Sequence, residues 1–191
     1  MGRYNAAMHQ ALKPHPDSLV PMAMHVDVDV RCPRSGGLIL TYVVAGPISD
    51  VRIPPAAAAS RADKLWQHTC FEAFVGASPD AAYYEFNFSP STEWAVYRFD
   101  GYRSGMRVAT EIGVPPIQVQ SSPDRYTLQA TLDLDGLSGL PRDAAWRLGL
   151  AAVIEDSRGR MAYWALAHPP GKPDFHHSQC FAHELSSPVL P

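Results

Sequence analysis

Short runs in which apolar and polar residues alternate dominate the chain. Between residues 22 and 30, Met24, Val26, Val28 and Val30 share one parity, while His25, Asp27 and Asp29 take the other. That is the period-two signature of a strand with one buried face. Residues 38–45 form a nearly continuous apolar run, and Arg34-Ser35-Gly36-Gly37 between the two runs predicts a hairpin turn. Residues 48–53 predict a short strand stopped by Pro54-Pro55, and residues 56–64 a helical turn or an ordered loop.

Three further strands are predicted in succession at 65–75, 83–89 and 93–100. In the first, Trp66, His68, Cys70, Glu72 and Phe74 share a parity. In the second, Tyr84, Phe86 and Phe88 make an apolar face and Glu85, Asn87 and Ser89 a polar one; in the third, Trp94, Val96 and Arg98 oppose Ala95, Tyr97 and Phe99. Residues 117–120 pair with 126–134 and residues 146–155 with 161–167, a short helix is predicted within 136–144, and a closing strand near 181–185. Roughly ten short strands, with turn signals about every eight to twelve residues, predict an all-β protein built as a single β-sandwich with a few short helical turns. Residues 1–20 show no periodicity and read as an irregular arm preceding a domain over 21–191.

Composition supports this. In 191 residues, 46% hydrophobic, the 18 prolines and 13 glycines are spread along the chain, which disfavours long helices, while the apolar content disfavours disorder. The formal charge is −3 with no dense basic segment, which argues against nucleic acid as a partner. The N-terminus lacks the apolar stretch of a signal peptide, Ala6 breaks the myristoylation pattern, and no apolar run is long enough to span a membrane. Cys32, Cys70 and Cys180 are odd in number and widely spaced, unlike a disulfide framework. A cytoplasmic location is the expectation, and under it the sequon Asn87-Phe88-Ser89 is a coincidence.

Candidate chemistry gathers on the three central strands. Trp66, His68, Glu72, Glu85, Asn87, Trp94 and Arg98 interleave flat aromatics with hydrogen-bonding groups of both signs. A sheet face of that kind can cover an apolar ring face and fix its polar edge groups. The opposing reading puts both tryptophans in the core and pairs the charges across strands.

Residues 65–75 (LWQHTCFEAFV), 83–106 (YYEFNFSPSTEWAVYRFDGYRSGM) and 168–181 (HPPGKPDFHHSQCF) together resemble a DOMON-like ligand-binding domain of the bacterial, soluble kind, related to the family-9 carbohydrate-binding modules. The resemblance implies a jelly-roll-like sandwich with a ligand pocket on one side, for sugars in some members and haem in others. In the sugar modules a Trp and a Glu six residues later line the site, a spacing that Trp66 and Glu72 match. Those modules close the sugar with a second Trp from a late loop; here residues 168–177 hold no Trp, and Phe175 is the loop's aromatic. In haem-binding relatives a Met and a His are axial ligands. No matching pair is identifiable here, and no CxxCH motif offers covalent attachment, so haem b remains an open cofactor.

The expected function is therefore non-catalytic binding of a small polar ligand, a carbohydrate or sugar-like molecule. Trp66 and Trp94 supply stacking faces, and Glu72, Asn87 and Arg98 orienting bonds. His168, Lys172, Asp174 and His176 cover the mouth, and Tyr102 and Arg103 are further candidates. Haem-binding redox or sensor work, a carbohydrate-active enzyme using Glu72 and Glu85, and a metal-dependent enzyme using His176, Cys180 and His183 are the alternatives. Exposed sheet edges leave a homodimer open.

Overall fold

The computed structural model describes residues 7–33, 36–77, 82–141 and 144–185. Within these, the strands in chain order are β1 (Met8–Ala11), β2 (Lys13–Pro14), β3 (His25–Arg31), β4 (Gly37–Ala45), β5 (Cys70–Gly76), β6 (Tyr83–Phe88), β7 (Trp94–Phe99), β8 (Arg107–Val108), β9 (Ile117–Ser122), β10 (Arg125–Asp133), β11 (Trp146–Glu155), β12 (Met161–Ala165) and β13 (His183–Leu185). They form two antiparallel sheets, one ordered β1-β3-β4-β10-β9 and the other β2-β12-β11-β5-β6-β7-β8. Strand β11 is long enough for β12 to pair with its second half and β13 with its first. The architecture is an open-edged, all-β sandwich.

The alternation of β3 sends Val26, Val28 and Val30 inward, where they meet Leu38, Leu40, Tyr42 and Val44 of β4 and Leu128, Ala130 and Leu132 of β10. From the second sheet come Phe71, Ala73 and Val75, then Tyr84, Phe86 and Phe88, then Leu148, Leu150 and Ala152. This is the inter-sheet core, and the Tyr42 hydroxyl crosses it to donate to the Glu72 carbonyl at 2.7 Å.

A sandwich sheet ordinarily leaves its other face wet. Here every residue of β5 and β6 is buried. The outer face of the second sheet carries its own cluster of Phe74, Tyr83, Ala95, Tyr97, Phe99, Ala151 and Val153, on which Phe175 and Phe181 of the late loop pack. Gly149 permits that approach, because a Cβ there would lie 3.1 Å from the Cys180 carbonyl oxygen.

Several elements differ from the sequence expectation. Part of the supposed irregular arm is ordered: β1 extends one sheet through β3 and β2 the other through β12, and buried His15 donates to the Gly171 carbonyl at 2.9 Å. The segment Ile48–Asp50 is a 3-10 turn and not a strand, as is Leu65–Gln67, so β5 begins only at Cys70. A further 3-10 turn at Leu134–Gly136 lies where the short helix was expected to begin, while residues 142–143 of that segment, like the turn residues Arg34 and Ser35, fall outside the described residues.

Candidate functional site: a pocket on the outer face of the second sheet

A pocket of about 350 Å³ opens on this outer face. Its floor is Glu72 of β5, Glu85 of β6, Phe99 of β7, Val153 of β11 and Tyr163 of β12. The floor follows from register: Glu72 lies opposite Asn87 and Ala151, Phe74 opposite Glu85, Tyr83 opposite Phe99, and Val153 opposite Tyr163, so one parity of five strands converges. The walls come from three loops, with Trp66 from the turn before β5, Arg103 and Met106 from the loop after β7, and Pro173, Phe175 and His176 from the late loop.

The wall residues are held by specific contacts. Trp66 meets Tyr97 edge-on with ring centres 5.8 Å apart, and the turn that carries it is entered through Lys64 in the left-handed backbone region at φ 62°. Arg103 also occupies that region, at φ 51°, which is uncommon for a residue with a Cβ. Its guanidinium donates to Asp174 Oδ1 at 2.8 and 3.2 Å, and Asp174 also accepts from the Tyr102 hydroxyl. His176 is packed edge-on by Phe74 and Phe99, and its Nδ1 lies 2.7 Å from the Tyr83 hydroxyl oxygen, which accepts from the Arg103 amide. With the Tyr83 proton on that Nδ1, the Nε2–H of His176 faces Glu85 Oε2 at 3.8 Å, beyond hydrogen-bonding range.

Burial sets the protonation of these groups. It pushes Glu85 up to about 7, against the Asn87 amide and the Arg103 charge, which favour the ionised form. It holds Glu72 well above the usual carboxylate range, with the charge of Glu85 adding to the effect and Arg103 opposing it. It lowers His176 to about 4, helped by Arg103, and raises Tyr83 to about 12. At neutral pH the pocket therefore presents a neutral imidazole and a carboxyl pair that shares protons. Glu85 Oε1 accepts from Asn87 Nδ2 at 2.8 Å, and the Cys70 thiol donates to Asn87 Oδ1 at 3.5 Å.

Of the residues expected at the site, the structure brings Trp66, Glu72, Glu85, Arg103 and His176 around this pocket, with Asn87 and Asp174 just behind it. Asn87 is fully buried. The others lie elsewhere. Trp94 and Arg98 sit on the opposite parity of β7: Trp94 is in the inter-sheet core, and Arg98 lies over the Tyr84 ring, tight against Gly139. His68 turns to the buried carboxylate of Glu155 at 2.7 Å, which Arg52 also contacts. His168 donates to the Lys13 carbonyl at 2.8 Å and packs edge-on with His15, Lys172 is exposed away from the lining, and Tyr102 stands outside the lining, against Asp174 and Arg103. His176, Cys180 and His183 do not converge: the Cys180 thiol donates to the carbonyls of Ala167 and Asp174, and His183 belongs to β13. No group of three or more metal-ligating side chains occurs among the described residues.

The liners missed from sequence are Phe99, Met106, Val153, Tyr163, Pro173 and Phe175. Carrying the Glu72 parity across the predicted 146–155 and 161–167 hairpin would have reached Val153 and Tyr163.

No family model matches the sequence, and no curated protein matches it. Solved structures do. A Bacteroides uniformis protein with a provisional carbohydrate-binding description aligns over 91% of this chain and 84% of its own, at 15% identity and a TM-score of 0.67. A family-9 carbohydrate-binding module from Caldicellulosiruptor kristjanssonii, solved in complex with cellotriose, aligns over 86% of this chain and 75% of its own, at 16% identity and a TM-score of 0.51. At such identities the shared property is the fold, and the chain has the sandwich architecture of the family-9 modules.

Proposed function

We propose that this protein is a DOMON-like, family-9-module-like binding domain that holds a carbohydrate non-covalently in the outer-face pocket. The observation that carries the reading is the pocket's composition. Trp66 and Phe175 offer aromatic faces from two separate loops, while Glu72, Glu85, Arg103 and the His176 Nε2–H supply acceptors and donors within one volume of about 350 Å³. That size is at the small end for ligand sites and suits a mono- or disaccharide. The cellotriose held by the module of similar fold supports the same class. The three cysteines are unpaired, which fits a reducing compartment such as the cytoplasm.

The test is a thermal-shift screen of the full chain against glucose, galactose, mannose, cellobiose and maltose. Binding to the native state raises the melting temperature by mass action, and a sugar at one hundred times its Kd adds about 2.7 kcal/mol of stability. A concentration-dependent rise with at least one sugar, abolished by Trp66→Ala, is expected. No rise with any of them overturns the reading.

A second reading is favoured by the carboxyl pair. Glu72 and Glu85 are diagonal neighbours across β5 and β6, about 7–8 Å apart in the backbone, and both are raised. A raised carboxyl beside a second one is the equipment of glycoside hydrolysis. Release of reducing ends from an oligosaccharide, lost in Glu85→Gln, would replace binding with catalysis.

A further inference from the structure

The charges around the pocket do not balance. Glu72, Glu85 and Asp174 face a single guanidinium, Arg103, which Asp174 already engages through two hydrogen bonds. The other titratable groups around the carboxyl pair are His176, Tyr83, Cys70, Tyr97 and Tyr163. Burial lowers His176 and raises Tyr83, Cys70 and Tyr97, so these four are neutral at physiological pH. Glu72 is only 3% exposed, yet its carboxylate has no hydrogen-bond partner among the described residues and opens into the cavity. Glu85 Oε2 likewise accepts no hydrogen bond among the described residues, the His176 Nε2 being 3.8 Å away. Two acceptors of a buried acid pair therefore point into a space walled by Trp66, Phe99, Tyr163 and Phe175.

We propose that the ligand is an amino sugar, whose ammonium group sits between Glu72 and Glu85 while its ring stacks on the aromatic walls. The inference rests on the carbohydrate reading above and narrows it to one class. An ammonium brings three N–H donors and no acceptor, so it satisfies both open carboxylates at once. It also supplies the missing positive charge in a setting where the rings attract cations through their faces. A neutral sugar hydroxyl supplies no charge and a single donor. Without a cation, the pair holds a proton because two buried carboxylates cannot both ionise; with one, both ionise and the proton leaves.

The test is calorimetric titration of the full chain at pH 6.5 with glucosamine, N-acetylglucosamine and glucose, each in two buffers of different ionisation enthalpy. Glucosamine is expected to bind about tenfold or more tighter than glucose, with the cation–π and charge-pairing contributions acting together. Its binding should release up to about one proton, read from the buffer dependence of the heat, while the two neutral sugars release none. Glu72→Gln should shrink the glucosamine-to-glucose ratio several-fold. Glucose binding as tightly as glucosamine, or glucosamine binding without proton release, overturns the inference and leaves the carbohydrate reading standing. No heat with any of the three overturns both.

Discussion

The two faces of strands β5 to β7 are equally dry but built on opposite terms. Apart from Arg98 near its edge, the inner face is hydrocarbon against hydrocarbon: Phe71, Ala73, Val75, Tyr84, Phe86, Phe88, Trp94 and Val96 meet the first sheet across the core. The outer face is just as hidden but includes Glu72, Glu85 and Asn87, each no more than 4% exposed. A buried polar group without its full set of bonds costs about 1–3 kcal/mol, and a buried charge more. The inner face therefore stabilises the sandwich, and the outer face gives up some of that stability to hold polar groups in a recess. The two tryptophans expected at one site show the split, since Trp94 is packed in the core while Trp66 stands half-exposed in the pocket wall.

The contrast can be broken in order of expected size. Trp94→Ala should destabilise by about 3–5 kcal/mol in urea unfolding, the cost of a large core truncation, whereas Trp66→Ala should stay within about 1 kcal/mol. Equal losses would mean that the faces do not differ.

Next is pH. In the unfolded chain Glu72 and Glu85 return to the ordinary carboxylate range and are deprotonated above pH 6.5, while the native pair, with Glu85 at about 7, still binds protons. The native state thus binds more protons, and stability falls as pH rises, on the order of 1–2 kcal/mol between pH 6.5 and 8. His176, lowered to about 4, acts in the opposite direction between pH 4 and 6.5 and offsets the pair there. Glu72→Gln should flatten the decline and raise the melting temperature at pH 8 by a few degrees.

Tyr42→Phe removes the hydroxyl that reaches the Glu72 carbonyl and should cost about 1 kcal/mol in the same unfolding assay. Smallest in stability is Asp174→Asn, which loosens Arg103 at the pocket rim; it should change unfolding by less than about 1 kcal/mol but weaken sugar binding measurably.

The sandwich was legible because β3, β6 and β10 each carry a contrast between their two parities. In β6 Glu85 and Asn87 mark one face against Tyr84, Phe86 and Phe88, and that contrast marks the face on which the pocket floor lies. Strand β7 was misread because Trp94 to Phe99 has no such contrast: both faces are buried and apolar. Its single charge, Arg98, lies on the inner face near the sheet's edge, where the Tyr84 ring accommodates the guanidinium. Trp66 reached the site by a route that alternation does not describe, because a 3-10 turn separates it from β5. His68, on the same nominal parity, was instead drawn to Glu155, a partner 87 positions away that no local pattern reveals. The walls built by loops were the least legible, since Met106 and Pro173 reach the pocket only through tertiary packing. The sheet-pairing segments within residues 7–14 were missed for a related reason: short edge strands take their order from the neighbours they pair with.

A sugar held in the outer-face pocket depends on Trp66, whereas one held by the inner-face residues does not. Calorimetric titration of wild-type protein and Trp66→Ala with the sugar giving the largest thermal shift, alongside their melting temperatures, separates the two. Saturable binding by the wild type, lost by at least tenfold in a variant that melts within a few degrees of it, is the predicted result. Undiminished affinity in a folded Trp66→Ala would place the sugar outside this pocket.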